Sequence, residues 1–360
     1  MLAGRIYGLH DYRLGEAEMP KIEKPTDALV KVTATAICTS EIHYAEGYQP
    51  LTAPFTTGHE FVGTIIEIGD EVKKFKVGDH VNVATYPFCG ECPVCKSGNT
   101  GHCPNGALFG SDPAWGNLNG AMAEYVRVPF ADTSCVIVPE NVKDEEALLV
   151  ADMMGTGYQG VTQAEVKEGD IVVVSGLGPV GLCAVALAKM RNPKMVIGIG
   201  RREERLKAAI ECGADYVIDS DIGNDAIYEK VKEITGGDPL YAGSMIFEGF
   251  ADSYIDTCGV ASSSDLGLRL LKVGGRLSQV SMVNPDNYVF NMHTVCMKNI
   301  TVQGGLTNLN DMQYLMDVLA EGKINVAPII TRVFPLSEFD KALDIFAHKK
   351  DGSIKVVLKP

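Results

Sequence analysis

Two groups of residues in this chain of 360 have the types and spacing of metal ligands. Cys89, Cys92, Cys95 and Cys103 stand in a Cys-x2-Cys-x2-Cys-x7-Cys array. Thiolates this close in sequence can close a tetrahedral zinc site without help from the rest of the fold. Gly90, Pro93, Gly98 and Gly101 permit the tight loop. Zinc would cross-link a segment too poor in apolar side chains to build its own core. Four sulfurs leave no position for a substrate, so the expected role is structural. A Cys-x2-Cys redox pair and an iron–sulfur cluster are the competing readings. The two further cysteines at closed-site spacing weigh against both.

The second group is dispersed. Cys38 begins the run Cys38-Thr39-Ser40-Glu41-Ile42-His43, Gly58-His59-Glu60 follows after a loop, and Asp152 comes much later. One thiolate, one imidazole and one carboxylate would hold zinc with a position open to a substrate oxygen. Glu60 would serve as an exchangeable ligand or as support. Such an ion stabilises negative charge on an alcohol oxygen, or polarises a carbonyl in reverse. The released proton then needs a route out, and Ser40 followed three residues later by His43 offers a hydroxyl–imidazole relay. Each residue also has an ordinary reading. His59 can satisfy a buried carbonyl, Glu60 can face solvent, Ser40 can cap a helix starting near Glu41, and Asp152 can cap a helix near a domain junction.

A third signal is Gly176-Leu177-Gly178-Pro179-Val180-Gly181, directly after the apolar run 171–174 and before the helical pattern 180–190. Gly176 permits the turn, Gly178 lets backbone approach a pyrophosphate, and Gly181 allows close helix–strand packing. Amides at the helix start then face the diphosphate. An NAD site places a carboxylate at the end of the next strand, where this chain has Gly200-Arg201-Arg202. A missing carboxylate and two cations suit a 2′-phosphate, so NADP(H) is expected over NAD(H). Arg205 either adds to this charge or is simply solvated, and Glu203 and Glu204 partly offset it.

The elements that must position these groups fall into two styles. Up to about residue 139, short β-rich runs at 28–36, 62–68 and 80–84 are broken by turns, which predicts a compact barrel-like β domain. After about residue 156, candidate strands at 171–174, 196–199, 216–218, 245–247, 277–280 and 300–302 alternate with helical patterns such as 203–212. That rhythm predicts a doubly wound parallel sheet. Amphipathic helices are expected at 309–320 and 336–346, and a closing strand at 354–358 that rejoins the first domain. The expected boundaries are 1–153, containing the lobe 89–103, then 154–300, then 301–360 as the remaining nucleotide-domain segment and the return.

A formal charge of −14 argues against a nucleic-acid or acidic-membrane surface, and no run approaches a membrane span or a signal peptide. Ten cysteines, clustered at ligand spacing, favour metal ligation in a reducing compartment and hence a cytoplasmic protein.

Together these residues resemble the zinc-dependent medium-chain dehydrogenase/reductase family over essentially the whole chain. Within it the pattern is most similar to NADP-type bacterial secondary-alcohol dehydrogenases. The resemblance implies an α/β protein with a Rossmann sheet and a GroES-like β-barrel catalytic domain. It implies Cys38, His59 and Asp152 as catalytic-zinc ligands with Glu60 close by, Ser40 and His43 as the proton relay, Thr156 against the nicotinamide, and Lys355 near pyrophosphate. The expected function is reversible hydride transfer between a secondary alcohol or ketone and NADP(H), in a homodimer or homotetramer. Two departures stand out: the intact four-cysteine lobe, often lacking in NADP-type members, and Glu41 where Asp is common. Polyol, amino-alcohol and hydroxysteroid dehydrogenases are alternative relatives, and the expected pocket includes residues 107–119 and 281–288. A zinc-independent quinone or enoyl reductase and a noncatalytic dinucleotide sensor are readings of a different class.

Overall fold

The computed structural model describes residues 1–48, 50–237, 240–242, 245–283 and 288–360, with backbone alone over 240–242 and 245–247. The chain divides into two compact units. The first holds Met1–Gly155, Thr307–Gly322 and Ile330–Pro360, and the second Thr156–Leu306 and Lys323–Ile329.

The first unit is built on strand pairing between β-branched runs. A seven-stranded sheet follows the order Ile330–Pro335, Lys355–Lys359, Ala28–Ala36, Phe61–Ile68, His80–Val83, Cys135–Ile137, with Tyr125–Val128 also paired to Ala28–Ala36. Alternation along Ala28–Ala36 buries Val30 and Val32 against Phe61, Ile65, Val81, Val83 and Phe109. Phe61 and Phe109 meet edge to face, 5.1 Å between centroids. A second core gathers Ile6, Tyr12, Tyr44, Phe55 and Met122 under Phe339 and Leu358, so the C-terminal strand and its preceding helix complete this unit. The segment Thr307–Gly322, with its helix Met312–Ala320, also belongs here, and the second unit's main run ends at Leu306.

The second unit is a six-stranded parallel sheet in the order Tyr216–Asp219, Met195–Gly200, Ile171–Ser175, Ala251–Asp256, Leu271–Gln279, Thr301–Gly304. The chain winds outward from Ile171–Ser175 on one side and then crosses to Ala251–Asp256 on the other. That reversal makes a switch point between these two strands, where a doubly wound sheet opens its binding crevice.

One expected strand is corrected. Met245–Phe247 pairs antiparallel with Leu240–Ala242 outside the parallel sheet, and the position expected for it is taken by Ala251–Asp256. The sequence Ala-Asp-Ser-Tyr-Ile-Asp looks too polar for a central strand. Its polar atoms are satisfied inside the fold: Ser253 Oγ donates to Ala164 O at 2.9 Å and Tyr254 OH to Ser263 O at 2.8 Å. Buried polar groups with partners cost little, so the strand can be central.

Candidate functional site

Three neighbouring strands bring the dispersed group together. Thr35 of Ala28–Ala36 pairs with Phe61, Ala36 pairs with Val357, and Ile37 N donates to Val356 O at 3.1 Å. Cys38 therefore leaves one strand beside Glu60 at the start of the next and Lys355 at the start of the third. Ala36 N and Thr35 Oγ1 both donate to Glu60 O, at 3.1 and 3.0 Å. Gly58 sets the entry of His59. Its φ is +99°, and a Cβ there would stand 2.3 Å from Met122 N, so only glycine fits. Asp152 arrives on Val150–Met154, a π-helical turn in which Met154 N donates to Leu149 O at 2.8 Å.

The result is a cluster in which Cys38, His59, Glu60 and Asp152 each present one ligand atom, all within 4.8 Å of one another. His59 Nε2 points into it, 3.2 Å from Asp152 Oδ2 and 4.0 Å from Glu60 Oε1. Its other nitrogen, Nδ1, lies 3.4 Å from Glu41 Oε1. Thiolate, imidazole and carboxylates at this spacing fit zinc, and the buried Glu60 Oε2 has no hydrogen-bond partner among the described residues. Burial resists charge on His59, but Cys38, Asp152 and Glu41 hold its pKa well above the ordinary value. Burial pushes Glu60 up to about 7, with Lys355 and His59 pulling against it and Asp152 adding to it. Burial likewise raises Glu41, opposed by His59 and the Cys38 amide.

Lys355, expected near pyrophosphate, is engaged within its own unit by Glu60. Its side chain is 1% exposed, and Nζ forms an ion pair with Glu60 Oε1. Burial penalises the ammonium, yet Glu60, Cys38 and Asp152 hold its pKa high. The cation is thus committed to the carboxylate of the metal cluster. A charge left alone there would be costly; Lys355 opposes the upward push of burial on Glu60, and Glu60 favours the Lys355 ammonium.

Helix Thr39–Ala45 begins after Cys38, which takes the N-cap position that Ser40 was given as its ordinary reading. Ser40 Oγ is buried and has no hydrogen-bond partner among the described residues. His43 lies one turn further on and is exposed, with its pKa lowered by partial burial. Its ring meets Tyr48 edge to face at 5.5 Å.

In the second cluster Cys89, Cys92, Cys95 and Cys103 bring all four sulfurs within 4.8 Å of one another. Four sulfurs around zinc at ~2.3 Å stand about 3.8 Å apart, so this spacing accommodates the ion. Amide donors already face the sulfurs: Cys89 N reaches Cys103 Sγ and Cys95 N reaches Cys92 Sγ, each at 3.4 Å. Asn105 Nδ2 reaches Cys89 Sγ at 3.4 Å, a partner the spacing of cysteines does not advertise. Despite partial burial, Asn105 and the amides of Glu91 and Cys92 bring the Cys89 thiol down to about 6. Burial pushes Cys95 up to about 12, as expected for a thiol that ionises only with a metal. All four are unpaired as disulfides.

In the second unit the glycine loop closes strand Ile171–Ser175 and opens helix Pro179–Lys189, with Gly178 at the N-cap and Pro179 and Val180 in the first turn. Gly176 has φ +95°, and a Cβ on Gly181 would stand 1.7 Å from Gly176 O. A Cβ on Gly178 would meet no atom nearer than Arg205 Nη1 at 3.9 Å, so this glycine leaves an open cradle rather than a packed contact. Such a cradle fits a diphosphate over the helix start. Gly200 ends strand Met195–Gly200, and a side chain there would meet Leu177 at 2.8 Å. A ribose-binding carboxylate at this position is thus excluded by packing as well as by residue type. Arg201 and Arg202 are exposed just beyond it. Arg205 is not simply solvated: it is half-buried, its Nη1 faces the Gly178 cradle, and its pKa is lowered by burial and by Arg202 and Arg201. Thr156 opens this unit, in the first turn of helix Gly155–Gln163. Of the expected pocket segment 281–288, residues 284–287 lie outside the described residues. Among the described residues no helix is long and apolar enough to cross a membrane.

Residues 24–140 match the alcohol dehydrogenase GroES-like domain, and residues 179–321 match the zinc-binding dehydrogenase family. The chain is 33% identical over 395 residues to the zinc-type alcohol dehydrogenase-like protein AdhB of Bacillus subtilis, covering 100% of each. It is 34% identical over 334 residues to the sorbitol dehydrogenase of Halalkalibacterium halodurans, covering 92% of this chain and 91% of that one. The solved alcohol dehydrogenase TADH from Thermus sp. ATN1 superposes with a TM-score of 0.90 at 31% identity, covering 100% of this chain and 99% of that one. With both zinc-ligand clusters assembled and the glycine loop at a strand–helix turn, the chain belongs to the zinc-type medium-chain alcohol dehydrogenase family.

Proposed function

We propose that this protein catalyses reversible hydride transfer between a secondary alcohol and its ketone with NADP(H), using zinc held by Cys38, His59 and Asp152 with Glu60 alongside. The observation that carries the reading is the convergence of those four ligand atoms within 4.8 Å beside a buried, unpartnered Ser40 hydroxyl. Zinc bound there supplies Lewis acidity at the substrate oxygen, and the nicotinamide exchanges hydride with the carbinol carbon. Ser40 Oγ accepts the hydroxyl proton of the alcohol as its own hydroxyl proton passes on toward the His43 ring. The exposed His43 ring passes the proton to water. Lys355 neutralises Glu60 and so keeps a second carboxylate near the ligands without surplus negative charge. The Gly178 cradle with Arg205 takes the diphosphate, while Gly200, Arg201 and Arg202 accept a 2′-phosphate where an acid would have repelled it.

Zinc in the four-cysteine lobe serves structure alone. A homodimer or homotetramer is part of the proposal, supported by the edge strand Thr301–Gly304, which is exposed on both faces and has no strand paired to its outer side among the described residues. The unpaired thiols support a reducing compartment such as the cytoplasm.

A polyol is the second reading, favoured by the sorbitol dehydrogenase relative. A panel of simple secondary alcohols, sorbitol-class polyols, amino alcohols and hydroxysteroids, each followed by NADPH absorbance, separates them. Highest kcat/KM on simple secondary alcohols supports the proposal; a preference for polyols replaces it with the second reading. His59→Ala should abolish turnover and keep dinucleotide binding, and full turnover in that variant would remove the metal from the mechanism.

A further inference from the structure

We infer that Thr257 is a positioning residue for the cofactor's diphosphate, holding the glycine loop in its binding shape from the end of the neighbouring strand. This inference rests on the dinucleotide reading proposed above.

Thr257 directly follows strand Ala251–Asp256, across the switch point from strand Ile171–Ser175 and its loop. Its amide extends the strand pairing and donates to Ser175 O at 2.8 Å. Its hydroxyl donates to Gly176 O at 2.7 Å and lies 3.0 Å from Ser175 O. On the opposite side Gly176 N donates to Ile199 O at 2.8 Å. Gly176 is thus gripped from both flanks of the sheet.

The Gly176 carbonyl is turned under helix Pro179–Lys189. A Cβ on Gly181 would stand 1.7 Å from that oxygen and 2.9 Å from Thr257 Oγ1. The oxygen therefore points away from the Gly178 cradle, where an added Cβ would meet nothing nearer than 3.9 Å. A glycine at φ +95° has no side chain to fix this orientation. Were the following peptide to flip, the loop would offer the diphosphate an oxygen in place of an N–H, and the anion would be repelled. The Thr257 hydroxyl opposes that flip by claiming the carbonyl. Thr257 is itself held in place by the buried Asp256, whose Oδ1 accepts from Cys258 N and whose Oδ2 accepts from Ser264 Oγ, each at 2.8 Å.

The diphosphate is common to NADPH and NADH, so Thr257 should serve both alike, unlike Arg201 and Arg202. The test is the affinity of the full chain for each cofactor by isothermal titration, with steady-state kinetics alongside, for wild type, Thr257→Val and Thr257→Ser. Valine keeps the branched shape and removes the donor; serine keeps the donor. Thr257→Val should weaken both cofactors by the same factor, about three- to tenfold, the range of one hydrogen bond. The loss should fall on the cofactor KM rather than on kcat, and Thr257→Ser should restore wild-type binding. A merely structural role would lower the unfolding temperature without that split. Wild-type affinity in Thr257→Val, or a loss that serine shares, overturns the inference and leaves the dinucleotide site standing. Failure of the wild-type chain to bind either cofactor overturns the dinucleotide reading and this inference with it. Should Thr257→Val fail to fold, Thr257→Ala takes its place and is read against the same outcomes.

Discussion

The proposed cofactor choice rests on a few side chains around the end of strand Met195–Gly200. Gly200 removes the acid, Leu177 occupies the space an acid would need, and Arg201 and Arg202 stand exposed beyond it. A charge-assisted contact to a phosphate contributes roughly 1.5–3 kcal/mol, or about ten- to a hundredfold in affinity. Replacing both arginines with serine should therefore raise the KM for NADPH by at least about tenfold and leave the KM for NADH nearly unchanged. Steady-state kinetics with the two cofactors checks this, and equal losses for both would reject a 2′-phosphate site. Arg205 behaves differently because it faces the Gly178 cradle rather than the strand end. Its removal should weaken both cofactors together.

Among the elements, the short helix Asp144–Ala147 shows how the path to Asp152 is anchored. Asp144 Oδ1 meets His80 Nε2 at 2.8 Å, and Thr33 Oγ1 donates to Asp144 Oδ2 at 2.5 Å. Glu145 pairs with Lys359 at 2.6 Å. The helix is thereby tied to strands Ala28–Ala36, His80–Val83 and Lys355–Lys359. Burial alone would raise the Asp144 pKa, but His80 and Thr33 outweigh it and hold the carboxyl below its ordinary value. A depressed carboxylate contributes stability that is present above its unfolded pKa, about 3.9, and is lost as pH falls through the lower folded value. Asp144→Asn should accordingly lower the unfolding temperature at pH 7. The gap from wild type should narrow once the pH drops below about 4, as followed by thermal melts across pH. A gap that widened in acid would contradict this anchoring.

For the molecule as a whole, the two proposed zinc sites differ in ligand set rather than in exposure, and that difference implies a stepwise response to chelation. Each cluster has two partly exposed and two buried ligands, but four thiolates would close one site and hold its loop together, whereas the mixed set would leave a position open to a competing ligand. Dialysis against a chelator should remove about one equivalent per chain first, with loss of activity but little change in unfolding temperature. Loss of the second should open the 89–103 segment to proteolysis, and Cys95→Ser should reproduce that second stage alone. Metal analysis paired with activity and limited proteolysis reads both stages; a single concerted loss would merge the two roles. The charge of −14 is no obstacle to an anionic cofactor, because Arg201, Arg202 and Arg205 cluster near the open Gly178 cradle.

The four-cysteine lobe and the glycine loop were legible in the residues themselves, because the residues that define each lie within one short stretch of chain, although distant groups such as Asn308 and Thr257 also brace them. Their chemistry is local, so spacing is nearly geometry. The open metal site was legible as a set of residue types, but only strand pairing around Cys38 and His59, with the π-helical turn that carries Asp152, brings them to one point. Lys355 and Glu60 are 295 residues apart, and no local pattern marks their ion pair. The capping box placed Glu41 beside Cys38 in sequence, while its approach to His59 depended on the turn at Gly58. Ala251–Asp256 is central because distant partners satisfy its polar atoms, which composition alone argued against. Sequence thus determined which residue types the two cysteine-containing clusters and the glycine loop hold. Tertiary structure decided which charges face each other, since a buried pair exists only where folding removes water from both groups at once.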